Sequence, residues 1–143
     1  MIEYQKVLDK HILNVFKDII KQIKVNGLSN NNHLYVTFLT NHKKTKIPDW
    51  IKEKYPQEMT IVIQYEFYDI FINENSFSIT LSFNDIKANL EIGYESIISF
   101  ADPSANFGLL LKQNKIKKQV KKITTDDNLK EDNIINFSNY KKK

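Results

Sequence analysis

Seven consecutive residues alternate between apolar and small polar side chains, from Phe77 to Phe83. Successive side chains of a β-strand point to opposite faces, so the alternation predicts a strand with one buried face. The apolar face carries Phe77, Ile79, Leu81 and Phe83, and the other face carries Ser78, Thr80 and Ser82. Short hydroxyl side chains without charge leave a shallow surface with hydrogen-bonding groups, which suits an extended peptide. A strand whose polar face meets only water is the simpler alternative.

The N-terminal residues follow a helical period instead. Apolar side chains recur at steps of three and four residues, at Tyr4, Leu8, Ile12, Val15, Ile19 and Ile23. This spacing predicts a helix of about five turns, which Asn26-Gly27 ends. The apolar stripe is wider than packing on one sheet requires. The helix either packs only on its own domain or also forms a dimer, and the pattern leaves both alternatives open.

From His33 onward the pattern is that of strands. The sequence predicts a short helix at 49–54, loops at 73–75 and 84–87, and seven strands: 33–40, 58–64, 68–72, 77–83, 90–93, 97–101 and 107–111. One helix followed by about seven short strands predicts an α+β fold that is mostly β, built as a small barrel or a two-sheet sandwich.

The pattern ends after Leu111, which predicts a division of the chain into three parts. Residues 1–111 form the folded domain, and residues 112–133 are polar and charged, which is typical of a flexible linker. Apolar residues return in residues 134–143, which we interpret as a short docking segment at the end of a disordered tail. A frayed terminus is the alternative interpretation.

The charge of the chain is divided unevenly between these parts. All 21 basic side chains are lysine, and 10 of them lie in residues 112–143 together with four acids. Residues 1–111 carry 11 lysines against 13 acids. A nucleic-acid-binding domain usually carries a basic stripe rich in arginine on its folded surface, so nucleic acid is not expected as a partner. No apolar run approaches the roughly 20 residues of a membrane-spanning helix, so a membrane is not expected either.

The residue types that carry catalysis are scattered or absent. The chain has no cysteine, which excludes disulfides and thiolate metal sites. Its three histidines, at positions 11, 33 and 42, show no metal-ligand spacing, and there is no nucleophile elbow or phosphate-binding glycine loop. We therefore expect a protein that is not an enzyme and that holds no metal or cofactor.

Four segments, at 33–38, 55–64, 77–83 and 102–109, resemble the SspB family of bacterial adaptors. The resemblance covers residues 4–111 in order and is nearest to the shorter branch of the family, which carries the Tyr-Pro-x-Glu-Met-Thr-Ile-Val signature. Residues 134–143 are similar to the terminal motif with which the family binds ClpX.

The resemblance implies an N-terminal helix, an Sm-like β-barrel and a homodimer formed through the helix, in a bacterial cytoplasm. The implied ligand is the ssrA degradation tag, which the adaptor delivers to the ClpXP protease. The implied peptide-binding residues are Met59, Thr80, Leu81, Ser82, Phe83, Asn84, Lys87, Ile98 and Phe100. The implied dimer residues are Leu8, Ile12, Val15, Phe16 and Ile19. Those that dock on the N-terminal domain of ClpX are Ile134, Ile135, Phe137, Tyr140, Lys141 and Lys142.

The sequence departs from the family pattern in two ways. Asn84-Asp85 stands where many relatives have Gly-Gly, and lysine stands where relatives use arginine, so bidentate pairing is lost. An Sm-like RNA-binding module with a basic tail is the alternative function.

Overall fold

The computed structural model describes residues 1–29 and 31–111. The predicted linker and docking segment lie outside the described residues. In these residues an N-terminal α-helix precedes seven strands, one short α-helix and two 3-10 turns, Tyr94–Ser96 and Pro103–Ala105. In chain order the elements are α1 (Tyr4–Asn26), β1 (Leu34–Leu39), α2 (Asp49–Lys54), β2 (Glu58–Ile63), β3 (Phe67–Ile72), β4 (Ser76–Phe83), β5 (Ile86–Gly93), β6 (Ile97–Asp102) and β7 (Phe107–Leu110). The predicted helix and mostly β fold are confirmed.

The strands form two antiparallel sheets. The larger sheet has the strand order β2-β1-β6-β7, and the smaller has β3-β4-β5. Strand β4 lies in the centre of the smaller sheet and pairs with β5 along its whole length, from Ser76 opposite Gly93 to Phe83 opposite Ile86. Within the described residues no ladder joins the two sheets into a closed barrel, so the fold takes the two-sheet form.

The alternation along β4 has the predicted effect on burial. Phe77 and Ile79 have no exposed surface and Leu81 is 4% exposed, whereas Ser78 and Thr80 are half-buried on the opposite face. A single hydrophobic core includes Phe77, Ile79 and Leu81 together with side chains of both sheets and of α1.

Helix α1 packs on the core through its C-terminal half. Phe16, Ile20 and Ile23 are buried, and they lie three and four residues apart on one face of the helix. Gly27 follows the helix with a φ of 73°, a conformation that glycine adopts without steric cost, and its N–H donates to the carbonyl of Ile23.

The turn between β4 and β5 is shorter than the sequence predicts. Only Asn84 and Asp85 form it, both in the left-handed region, with φ values of 51° and 69°. Two successive residues with positive φ close a two-residue hairpin whose twist matches that of the strands. Ile86 and Lys87 therefore belong to β5, and the predicted four-residue turn was wrong in length.

Asp102 ties the end of β6 to the segment that precedes β1. Its side chain accepts hydrogen bonds from the Ser104 amide at 3.0 Å and from Asn32 Nδ2 at 2.8 Å. Burial of Asp102 opposes ionisation of its carboxyl. The hydrogen bonds from the side chains of Ser104 and Asn32 and from the backbone of His33 and Ser104 outweigh this effect, so the pKa of Asp102 lies below its ordinary value of 3.8.

We expect the Asp102 carboxylate to contribute to the free energy of unfolding at neutral pH and to lose this contribution in acid. Because its pKa is lower in the folded than in the unfolded state, its contribution is present above about pH 4 and is lost as the pH falls through the folded-state pKa. Asp102→Asn should lower the free energy of unfolding at pH 7 by about 1–3 kcal/mol and should lose less stability than wild type between pH 4 and 2. Urea unfolding at several pH values measures both effects, with Asp85→Asn in the exposed hairpin turn as the control. Parallel loss of stability in wild type and Asp102→Asn would contradict the assignment.

Candidate functional site

A groove opens where the two sheets separate. Strand β3 pairs with β4 only as far as Phe67 opposite Leu81, so Ser82 and Phe83 extend beyond the start of β3. Strand β2 is the neighbouring edge of the larger sheet. The connection from β2 to β3, residues 64–66, forms a corner in which Tyr65 has a φ of 42°. The gap between β2 and the end of β4 has a volume of about 420 Å³.

The lining of the groove is part apolar and part polar. It consists of Tyr55, Met59, Thr60, Ile61, Val62, Gln64, Tyr65, Glu66, Leu81, Ser82 and Phe83. Tyr55 precedes β2 and the corner residues follow it, so these two groups lie at opposite ends of a strand about 20 Å long. A cavity of this volume fits a few residues of a peptide or a small ligand.

The structure brings four of the predicted peptide-binding residues together in this groove. Met59 lies on β2, and Leu81, Ser82 and Phe83 lie on β4. Met59 and Leu81 are almost fully buried, with 5% and 4% of their surface exposed, so they form the floor.

Three further predicted residues lie outside the groove, on the smaller sheet or at its tip. Thr80 is on the outer face of β4, where its Oγ1 accepts a hydrogen bond from Asn89 Nδ2 at 3.1 Å. Lys87 places its Nζ 4.4 Å from the ring centroid of Tyr68. Asn84 is at the tip of the hairpin.

The last two predicted residues do not line the groove. Phe100 has no exposed surface, and its ring centroid is 5.0 Å from that of Phe16, in the core. Ile98 is 4% exposed and lies at an irregularity of β6, between the residues that pair with Phe38 and Thr37. Alternation on β6 shows that one face is buried, but it does not show which element covers that face.

Sequence reasoning missed the corner at 64–66. Gln64 lines the groove, and its Oε1 has no contact with solvent and no hydrogen-bond partner among the described residues. A buried acceptor without a partner carries an uncompensated desolvation cost, which a ligand N–H could remove once the side chain turns so that Oε1 faces the groove. The only signal in the sequence was a polar residue at the end of a strand pattern, which also fits an ordinary strand end.

The described residues show no group of histidine, aspartate or glutamate side chains that could hold a metal ion. No helix in this part of the chain combines the length and apolar character needed to cross a bilayer.

A comparison with protein families matches residues 7–142 to stringent starvation protein B, SspB. The chain belongs to the SspB family. No curated protein matches the chain. SspB proteins are adaptors of proteolysis rather than catalysts, and membership supports a general role of this SspB-family chain in degradation by ClpXP.

We expect Gln64→Leu to separate binding from stability in this SspB-family chain. The free energy of unfolding should stay within about 0.5 kcal/mol of wild type, because the substitution removes a polar atom that has no partner. Affinity for a peptide in the groove should fall about tenfold, because one hydrogen bond is lost. Urea unfolding and fluorescence anisotropy with a labelled ssrA-tag peptide measure the two quantities.

Gln22→Leu, on the exposed side of α1, is the matched control and should bind as wild type does. Equal affinities of Gln64→Leu and wild type would show that no ligand donor reaches Gln64.

Proposed function

We propose that this SspB-family protein binds the ssrA degradation tag in the groove between β2 and β4 and tethers tagged proteins to ClpX for degradation by ClpXP. The observation that carries the proposal is the groove itself, with its unpartnered Gln64 acceptor, in a chain that belongs to a family of protease adaptors.

The backbone around the groove suits an extended peptide. In the described part of the chain β2 pairs with β1 on one side only, and the end of β4 at Ser82 and Phe83 pairs with β5 on one side only. Strand edges of this kind offer backbone donors and acceptors to an added strand, while pockets between side chains select the ligand's residues. This supports a polypeptide ligand over a compact metabolite.

The chemistry of the groove suits the composition of the tag. A peptide rich in alanine, asparagine, aspartate and glutamate needs small apolar contacts and hydrogen-bonding partners. Met59 and Leu81 supply the first, and Ser82 and Gln64 supply the second. Lys87 on β5 lies opposite Ser82 in the ladder between β4 and β5. Its positive charge beside the end of β4 suits the acidic residues of the tag.

We assign residues 134–143 to ClpX and residues 112–133 to the tether between the two binding surfaces. A flexible chain of 22 residues spans roughly 25 Å on average, at about 5–6 Å times the square root of its length. Tethering at this distance supplies an effective concentration on the order of millimolar. Two contacts of micromolar affinity, about 8 kcal/mol each, are then enough for delivery.

We also propose a homodimer formed through α1. The N-terminal half of the helix exposes Tyr4, Leu8 and Val15 at 75%, 52% and 41% of their surface. Steps of four and seven residues place them on one stripe. Ile12 and Ile19 are partly buried at the edge of the core. Phe16 has no exposed surface, so the proposed contact depends on Leu8 and Val15.

Deleting residues 134–143 is expected to separate tag binding from delivery. Anisotropy with a labelled ssrA-tag peptide should give the same Kd for the full chain and the truncated chain, because the groove lies in residues 55–83. Degradation of an ssrA-tagged protein by ClpXP at low substrate concentration should be stimulated only by the full chain.

Stimulation by the truncated chain would show that the tether is not needed. If the wild-type chain does not bind the ssrA-tag peptide, the proposed function is wrong. Binding of RNA with a steep dependence on salt would favour the RNA-binding alternative, since phosphate contacts weaken strongly as salt rises.

Leu8→Asp with Val15→Asp is expected to convert the dimer to a monomer, because two charges would be buried in an apolar contact. Light scattering after size-exclusion chromatography measures the mass, and Val25→Asp, at a residue 80% exposed near the end of α1, is the control. The groove should still bind peptide in the monomer. A wild-type chain that is monomeric at all concentrations would contradict the proposed dimer.

A further inference from the structure

The corner of the groove carries a tyrosine in a backbone conformation that bulky side chains disfavour. Tyr65 has a φ of 42°, in the left-handed region, and it lines the groove with 67% of its surface exposed. Glycine adopts this conformation without steric cost, whereas bulky residues rarely adopt it. Residues held in such conformations are concentrated at binding sites, and they persist only where the surrounding structure fixes them.

The ring of His33 meets that of Tyr65 edge to face. The two centroids are 6.2 Å apart and the interplanar angle is 81°. His33 directly precedes β1, and the ladder between β1 and β2 ends with Leu34 opposite Ile63, so the contact lies just beyond the last strand pair. The backbone sets the direction in which the Tyr65 side chain leaves the chain, and the contact with His33 restricts the orientation of the ring.

Hydrogen bonds fix His33 in turn. Its Nδ1 donates to the carbonyl of Asn31 at 3.1 Å, and its backbone N–H donates to the carboxylate of Asp102. The same carboxylate accepts from Asn32 Nδ2 at 2.8 Å. These bonds attach residues 31–33 to the end of β6, so the His33 ring is a fixed surface on which Tyr65 packs.

We propose that His33 is a positioning residue of the groove, and that its ring holds the ring of Tyr65 as the wall that closes the corner end. His33 is not among the residues that line the groove, so its effect on a ligand passes through Tyr65. The inference rests on the proposed function, since it concerns ligand binding in the same groove.

A ring that is already oriented binds a ligand better than a ring that is free to rotate. A ligand that covers Tyr65 gains from the apolar surface it buries, but it loses the conformational entropy of any side chain that it has to order. The contact with His33 orders the ring before the ligand arrives, which reduces this loss. The gain does not depend on which residue of the ligand reaches the corner.

The test is a double-mutant cycle on the affinity of the full chain for a labelled ssrA-tag peptide, measured by fluorescence anisotropy. We expect His33→Ala to weaken binding about 3- to 10-fold in the wild-type background. In the Tyr65→Ala background it should weaken binding by less than about twofold, because the ring that His33 positions is absent.

Two further substitutions separate the ring contact from simple packing. His33→Phe should bind within about twofold of wild type, because the edge of a phenyl ring makes the same contact. His33→Leu fills the space without a ring and should weaken binding as His33→Ala does. Urea unfolding of each variant shows that the fold is retained.

Phe71→Ala is the matched control for Tyr65→Ala, because Phe71 is a 57% exposed ring on β3 outside the groove. It should change neither the affinity for the peptide nor the effect of His33→Ala.

Three results would overturn the role of His33 while leaving the proposed function intact. Wild-type affinity in both His33→Ala and His33→Leu would show that the contact does not affect the ligand. An equal loss from His33→Ala in the wild-type and Tyr65→Ala backgrounds would show that His33 does not act through Tyr65. A loss in His33→Phe as large as that in His33→Ala would limit His33 to a structural role. If wild type binds no tag peptide at all, the proposed function fails and the role of His33 fails with it.

Discussion

The ring of Phe16 fixes the two sheets relative to each other. Its centroid lies 5.4 Å from that of Phe77 on β4 and 5.0 Å from that of Phe100 on β6, so one side chain of the helix contacts both sheets. A fully buried phenylalanine of this kind contributes about 3–5 kcal/mol to stability. Because backbone ladders do not join the sheets in the described residues, this packing holds them at a set separation, and the width of the groove depends on it.

The groove forms where regular hydrogen bonding between strands ends. β3 leaves β4 at Leu81, and the corner at 64–66 carries the chain across to β2. The unpaired strand edges and the buried Gln64 acceptor are therefore consequences of the same change in direction. A ligand bound there would meet groups that the fold already holds in place, so little entropy would be lost in ordering the protein side chains.

Much of the fold could be predicted from local pattern. The helical period of apolar residues along α1 and the alternation along β4 both arise because one face of each element is buried. The candidate site was harder to predict from the sequence, because it depends on which strands lie next to each other in the fold. Met59 and Leu81 share the groove although 22 positions separate them. The sequence predicts that Trp50 lies in a short helix, but its contact with Phe83 depends on how that helix packs. The family resemblance implied that Phe100 lies near the ligand, and the alternation along β6 does not reveal that Phe16 of α1 packs against it.

The chain leaves the described fold at the far side of the larger sheet from the groove. Leu111, bonded through its N–H to the carbonyl of Ile98, follows β7, whereas the groove borders β2. Any connection between a ligand in the groove and the chain beyond Leu111 would therefore span the whole width of the larger sheet, across the order β2-β1-β6-β7.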